Sequence, residues 1–252
     1  MGNWASIGFV VLGIVVYGLL FHLNRHQRVP WGSICIASVG VLRALTQFVI
    51  RPSMGNGALA AVLVLVAVFF VYVTVFYTRT PPHSPTLGPG SPFPDVPLHN
   101  LVGEKSEISD LQGESGALVV FFRGSGCPAC RRELQLLQSC LPDIQRRGLA
   151  LVAISVEAPE VSARLREQLG LGFHVLCDTE FQLTDALALR HERGYLGKDV
   201  ATPTHFLVDA RGIIRWVHRA DHTLIRPSLN EILSAIDDAL PPGGVSLAAD
   251  PG

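Results

Sequence analysis

The 252-residue chain carries 20 Lys and Arg against 21 Asp and Glu, and this near-neutral balance excludes an electrostatic case for nucleic-acid binding. Its five cysteines are too few for a disulfide-scaffolded fold at this length. Mean hydropathy is positive, and the apolar excess lies in roughly the first eighty residues, which separates a membrane-type segment from an ordinary soluble mixture.

In chain order, Trp4 to Leu23 is apolar and uncharged apart from His22, and Leu59 to Tyr77 has no charge. Each has about the twenty residues needed to cross a bilayer core. Trp4, Tyr17, Tyr72 and Tyr77 fall toward the ends, where interfacial aromatics gather. The first segment lacks a basic leader and is too long for a signal-peptide core, so it reads as retained. Trp31 to Ile50 is a weaker third segment, because Arg43 well inside it costs roughly 2.5–3.5 kcal/mol on insertion scales.

With two crossings, the loop holding Arg25, Arg28, Arg43 and Arg51 lies in the cytoplasm. The C-terminal domain of this multi-pass protein then faces the periplasm of a bacterial inner membrane, which is the working expectation. With three crossings the domain is cytoplasmic.

Thr80 to Pro97 contains seven prolines and reads as a stiff spacer without core residues. The expected organisation is an anchor at 1–79, a linker at 80–97, a domain at 98–240 and a flexible tail at 241–252. Within the domain, Ala117–Phe122 reads as a strand and Pro128–Arg147 as a helix with Cys130, Leu134, Leu137 and Leu141 on one stripe. Leu149–Ser155 is a second strand, and Pro159–Leu169 a helix ended by Gly170. Phe173–Cys177 reads as a strand and Glu180–Leu189 as a helix. Thr204–Val208 and Ile213–His218 are strands joined by the turn Asp209–Gly212, and Pro227–Leu240 is a last amphipathic helix. This alternation predicts an α/β sandwich around a mixed sheet.

The chemistry lies in Arg123-Gly124-Ser125-Gly126-Cys127-Pro128-Ala129-Cys130, between the first strand and its helix. Two sulfurs one helical turn apart can form and break a disulfide with little backbone movement. A cysteine at a helix N-terminus meets unpaired N–H groups and the positive dipole end, which favours its thiolate. Arg123, Arg131 and Arg132 add positive charge nearby, or simply form a solvated basic helix start. Cys140 lies ten residues along the helix from Cys130, about 15 Å away, and like Cys177 reads as core. A zinc half-site would need a second ligand pair, and the sequence offers none at a sensible spacing.

With Leu151–Ser155 and Thr202–Asp209, these residues resemble the thioredoxin fold, in the redoxin branch that includes the alkyl hydroperoxide reductase/thiol-specific antioxidant family. The resemblance covers roughly Phe93 to Leu240. It implies that Cys127 attacks and Cys130 resolves, and that Thr202-Pro203 binds substrate at the position of the fold's cis-proline. It further implies an antioxidant-type oxidoreductase with a redox-active disulfide; together with the apolar N-terminal segments this makes a membrane-anchored enzyme, and no cofactor or metal is expected. The chain departs from the family at Gly126, where thioredoxins carry Trp, and at Phe121, where they carry a buried acid. Gly124 stands where peroxiredoxins carry Thr, and their peroxide-orienting Arg is absent before Phe206. Arg123 and Ser125 are left as candidate thiolate-stabilising residues.

The expected activity is thiol–disulfide exchange, with a peroxiredoxin-like thiol peroxidase as the alternative and a copper-binding chaperone as a remote third. The expected partners are a thiol or disulfide protein or a small hydroperoxide, a separate reductant, and membrane lipid around the N-terminal helices, with no nucleic acid.

Overall fold

The computed structural model describes residues 3–22, 31–73, 80, 87–220 and 226–240. The chain divides into two compact units, Met1–Arg79 and Thr80–Gly252. The expected tail at 241–252, and residues 74–77 of the last apolar segment, lie outside the described residues.

The first unit holds three helices, α1 (Asn3–His22), α2 (Trp31–Ile50) and α3 (Met54–Val71). The middle segment, weakest on hydropathy, is as long as its neighbours. Among the described residues, Gly32–Ile50 and Met54–Val71 are long and apolar enough to cross a membrane. Small residues let α1 and α2 approach closely: a Cβ on Gly13 would stand 2.7 Å from the Ser33 carbonyl oxygen, and one on Gly40 2.5 Å from that of Ser6. Most large apolar side chains of this unit point outward, as Leu65, Val68 and Phe69 do. Ser53 caps α3 by accepting from the Asn56 N–H.

The second unit is a mixed sheet flanked by helices. One ladder orders β2 (Lys105–Ser106), β1 (Leu98–His99), β5 (His174–Cys177) and β4 (Leu149–Ser155). Another orders β3 (Gly116–Phe121), β8 (Thr204–Asp209) and β9 (Ile214–Arg219). The Phe122 N–H joins the two by donating to Ile154 O at 3.0 Å. β3 and β8 are buried along their whole length and pair antiparallel from Gly116↔Asp209 to Phe121↔Thr204. Their near-continuous apolar runs suit central strands covered on both faces.

Helix α4 (Pro128–Arg146) buries Cys130, Leu134, Leu137 and Leu141 as expected, and Cys140 with them. It neighbours α5 (Pro159–Leu169) through Arg131 to Gln168, and packs against α7 (Leu229–Ala239), which Ser228 and Glu231 start with a reciprocal capping box.

Four expectations change. Residues 87–97, expected as a free spacer, lie along β9: Gly90 and Phe93 N–H groups donate to Ile214 and Gly212, and Phe93 packs edge-on against Phe206. A proline-rich segment can dock when its few N–H groups find a strand edge and one aromatic finds the core. The expected helix at 180–189 contracts to α6 (Gln182–Ala186) because Phe181 and Ala188 adopt positive φ on either side. No peptide bond among the described residues is cis, so Thr202-Pro203 is trans, the form an X–Pro bond prefers by about 0.5–1 kcal/mol. Finally, β6 (Arg190–Tyr195) and β7 (Lys198–Ala201) form a hairpin the sequence reading missed. Leu196 and Gly197, both at positive φ, make its two-residue turn.

Candidate functional site

Cys127 is the N-cap of α4, in an extended conformation, with Pro128 in the first turn where its missing N–H is no loss. It is only 2 % exposed, and Cys130, one turn on, is fully buried; both are free thiols. The Cys127 thiol is pulled down to about 6. A hydrogen bond from the Cys130 thiol is the main cause, opposed by burial and helped by the Cys130 N–H and by the charges of Arg226 and Arg123. Burial pushes Cys130 well up, and the hydrogen bond it gives to Cys127 adds to this. The pair is therefore asymmetric: a ready nucleophile above, a protonated reserve thiol below.

Under the pair lies a buried cluster. Glu133, one turn beyond Cys130, is 5 % exposed. Arg226 Nε donates to its Oε2 at 2.6 Å, and Arg226 Nη2 stands 3.3 Å from Cys130 Sγ. His205, 1 % exposed on β8, brings Nε2 to 3.0 Å from Glu133 Oε1, although its ring N–H is not aligned for a hydrogen bond. Burial alone would raise the Glu133 pKa, but the Arg226 charge and the His205 approach outweigh it and hold the carboxyl below its ordinary value. Burial likewise opposes the Arg226 charge, yet Glu133 and both sulfurs keep it ionised.

Above the pair lies a roof made by the hairpin. The Tyr195 hydroxyl donates to Gly126 O at 2.8 Å, and Arg123 Nη2 donates to Gly194 O. The Arg123 guanidinium also sits 5.4 Å from the Tyr195 ring centre. Gly126 leaves room here, since a Cβ would come within 3.2 Å of the Tyr195 hydroxyl and make that side chain give way. Gly124 combines φ +148 with a Cβ position 3.0 Å from the Glu157 carboxyl. That carboxylate accepts from the Ser125 N–H at 2.7 Å and from the Ser125 hydroxyl at 2.9 Å.

The candidate residues thus separate. Arg123 acts on Cys127 through charge, whereas the Ser125 hydroxyl is committed to Glu157. Arg131 reaches back to Ser125 O at 3.4 Å. Thr202 and Pro203 are buried just beyond the Phe121↔Thr204 pair, at the sheet end from which the cysteine turn departs. The Thr202 N–H donates to Leu189 O, and Pro203 O accepts from Ala220 N–H. Glu133, Arg226, Tyr195 and Glu157 escaped the sequence reading. Of these only Glu133 left a signal, an acid three residues after Cys130 on the edge of a buried stripe.

A helix-capping thiolate, its buried partner thiol and a mixed sheet between helices define a dithiol redox domain of the thioredoxin type. The chain belongs to the AhpC/TSA family, whose model matches residues 89–217, just over half of its length. It is similar to the thiol-disulfide oxidoreductase ResA of Geobacillus kaustophilus, with 28% identity over 161 residues that cover 63% of this chain and 83% of the relative. It is also similar to peroxiredoxin Bcp of Escherichia coli, with 29% identity over 130 residues, 51% of this chain and 83% of that one. Among solved structures, peroxidoxin BcpB of Mycobacterium tuberculosis shares the fold at TM-score 0.54 and 17% identity, over 60% of this chain and 97% of its own. AhpC of the same organism does so at 0.53 and 21%, over 61% and 93%.

Proposed function

We propose that this protein is a membrane-anchored thiol–disulfide oxidoreductase. The observation that carries the reading is the asymmetric pair, a Cys127 thiolate formed at about pH 6 above a protonated Cys130. Cys127 attacks a substrate disulfide and expels one substrate thiolate, leaving a mixed disulfide. Cys130 then gives up its proton and attacks Cys127 Sγ, which closes the Cys127–Cys130 disulfide and releases the second substrate thiol. Arg226, held by Glu133, places its guanidinium 3.3 Å from Cys130 Sγ and stabilises the thiolate that forms there as the proton leaves. Thr202-Pro203 and the Tyr195 roof flank the approach to Cys127. The similarity to ResA supports this chemistry. A separate thiol reductant returns the pair to its dithiol form.

The test is a reduction assay with a protein disulfide substrate: wild type turns it over, and Cys130→Ser accumulates one mixed disulfide on Cys127. Failure of that adduct to form refutes the reading. The similarity to Bcp favours peroxidase chemistry as the second reading, in which Cys127 attacks a hydroperoxide and its sulfenic acid condenses with Cys130. Fast peroxide consumption without a disulfide substrate would select it.

The anchor reading rests on the outward apolar faces of α1, α2 and α3. Arg43 is exposed in the second half of α2, which supports two crossings and a periplasmic redox domain. The length of α2 and its packing against α1 and α3 support three crossings and a cytoplasmic domain. Labelling a cysteine placed at surface Arg164 with a membrane-impermeant reagent in intact cells separates the two: labelling selects the periplasm, and protection selects the cytoplasm.

A further inference from the structure

Cys127 is 2 % exposed although its neighbours Gly126 and Pro128 are exposed, so the reactive sulfur lies just beneath the surface. A disulfide that it attacks must first displace part of its cover. That cover is the tip of the β6–β7 hairpin, a two-stranded ladder separate from the main sheet. Two strands alone are marginally stable, so what ties them down decides how they move. The base is built into the fold: Val200 and Ala201 are buried, and the Thr202 N–H donates to Leu189 O at 2.7 Å. The tip is held by side chains instead. Its register shifts between His191 and Tyr195, Arg193 and Leu196 stand at positive φ, and Leu196 is exposed. Arg123 Nη2 donates to Gly194 O there, and the Tyr195 hydroxyl donates to Gly126 O at 2.8 Å.

A substrate backbone meets two different kinds of partner at this end of the domain. At Thr202-Pro203, the Thr202 N–H and the Pro203 carbonyl are both used by the chain's own backbone, through Leu189 O and the Ala220 N–H. The Gly126 carbonyl belongs to the peptide bond that enters Cys127, and it accepts from a side-chain hydroxyl on half-buried Tyr195. A single hydrogen bond of that kind is worth a factor of about two to ten in an equilibrium, so it exchanges readily. A backbone N–H offers the same single donor as the tyrosine O–H.

We propose that the Gly126 carbonyl is the docking group for the backbone of a disulfide-bearing polypeptide, and that Tyr195 occupies it as a latch until substrate arrives. The substrate N–H replaces the hydroxyl, the hairpin tip lifts, and the substrate sulfur meets Cys127. Cys127 Sγ bonds to that sulfur as the substrate S–S bond breaks. The electron pair leaves with the second sulfur, which is protonated from solvent. A small disulfide without an amide N–H must open the same latch and gains no bond to the carbonyl. Tyr195 is thus a positioning residue that sets specificity through Gly126. The latch rests on the oxidoreductase reading given above and deepens it.

The test uses the full-length protein in lipid nanodiscs and the symmetrical disulfide of an octapeptide with one central cysteine. Ester versions remove, in turn, the N–H of the cysteine and of the residue on either side. Formation of the Cys127–peptide adduct is followed by acid quench and mass spectrometry at about pH 8, where Cys127 is ionised. One of the esters should lower the second-order rate constant about two- to tenfold. In Tyr195→Phe, iodoacetamide should alkylate Cys127 about two- to tenfold faster than in the wild type, with the pH midpoint unmoved. Amide and ester peptides should gain there by the same factor. Esters that all match the parent peptide overturn the docking group, and a wild-type alkylation rate in folded Tyr195→Phe overturns the latch. The ester series decides alone if Tyr195→Phe does not fold. Absence of any adduct with the parent peptide or with glutathione disulfide overturns the oxidoreductase reading itself.

Discussion

The floor and the roof of the cysteine pair are built on opposite principles. The floor is ionic and dry: Glu133, Arg226 and His205 are almost fully enclosed and held by charge. The roof is largely backbone: Tyr195 and Arg123 grip the carbonyls of Gly126 and Gly194, on a hairpin whose turn residue Leu196 is 76 % exposed. A buried charge is costly to unpair, whereas a single hydrogen bond at the edge of a domain breaks easily. Of the two flanking charges, Arg226 in the floor bears more on the ionisation of Cys127 than Arg123 in the roof does, and the roof is expected to act instead on access to a nucleophile only 2 % exposed.

Four substitutions and one titration probe that division. The largest effect is expected from Cys127→Ser, which should abolish disulfide turnover while leaving the thermal unfolding profile close to wild type. Next comes Arg226→Met, which strands Glu133 as an unpaired buried carboxylate and should cost about 3–5 kcal/mol in denaturant unfolding. Adding Glu133→Leu should recover much of this. The same Arg226→Met removes a positive charge beside Cys127, so its thiolate should form at higher pH.

Thiol alkylation of the wild type gives the reference for that shift. The depressed pKa means that Cys127 is ionised above about pH 6, so the alkylation rate should be high near neutrality and fall as pH drops through about 6. Because the unfolded thiol binds its proton up to a higher pH, the reduced fold should also gain stability as pH rises from there toward the ordinary thiol value. The smallest effect belongs to the roof: Tyr195→Phe should cost about 0.5–1.5 kcal/mol, change KM for a protein disulfide and leave the Cys127 titration in place. A titration shift in Tyr195→Phe as large as that in Arg226→Met would erase the distinction between floor and roof.

What could be read from the sequence follows the range of the interactions. The strand, glycine turn, Cys127 cap and α4 stripe are encoded within about thirty contiguous residues, by β-rich apolar runs, Pro at the helix start and helical spacing. The β8–β9 hairpin announced itself through Asp209-Ala210-Arg211-Gly212, where Asp209 accepts from the Arg211 and Ile213 N–H groups. The missed parts are those held by distant partners. Arg190–Ala201 has too many charges to read as strand, and Arg190 is tied into the hairpin by Asp185 and Asp199. Arg226 precedes a proline in a stretch with no periodicity, and its burial involves Glu133 and Cys130, which lie more than ninety positions upstream. Docking of Phe93 likewise required knowledge of Phe206.

The reach of Arg226 also fixes an order in time. Its contact with Cys130 spans 96 positions of chain, and that with Glu133 spans 93. During synthesis both cysteines emerge well before the cation that helps to ionise them, and β8, which brings His205, is made in between. A growing chain thus carries both thiols and Glu133 before the Arg226 charge that helps to lower the Cys127 pKa is made. The segment translated last among these completes the charge pattern of the site, so the full pairing of Glu133, Arg226 and Cys130 forms only once nearly the whole domain has been made.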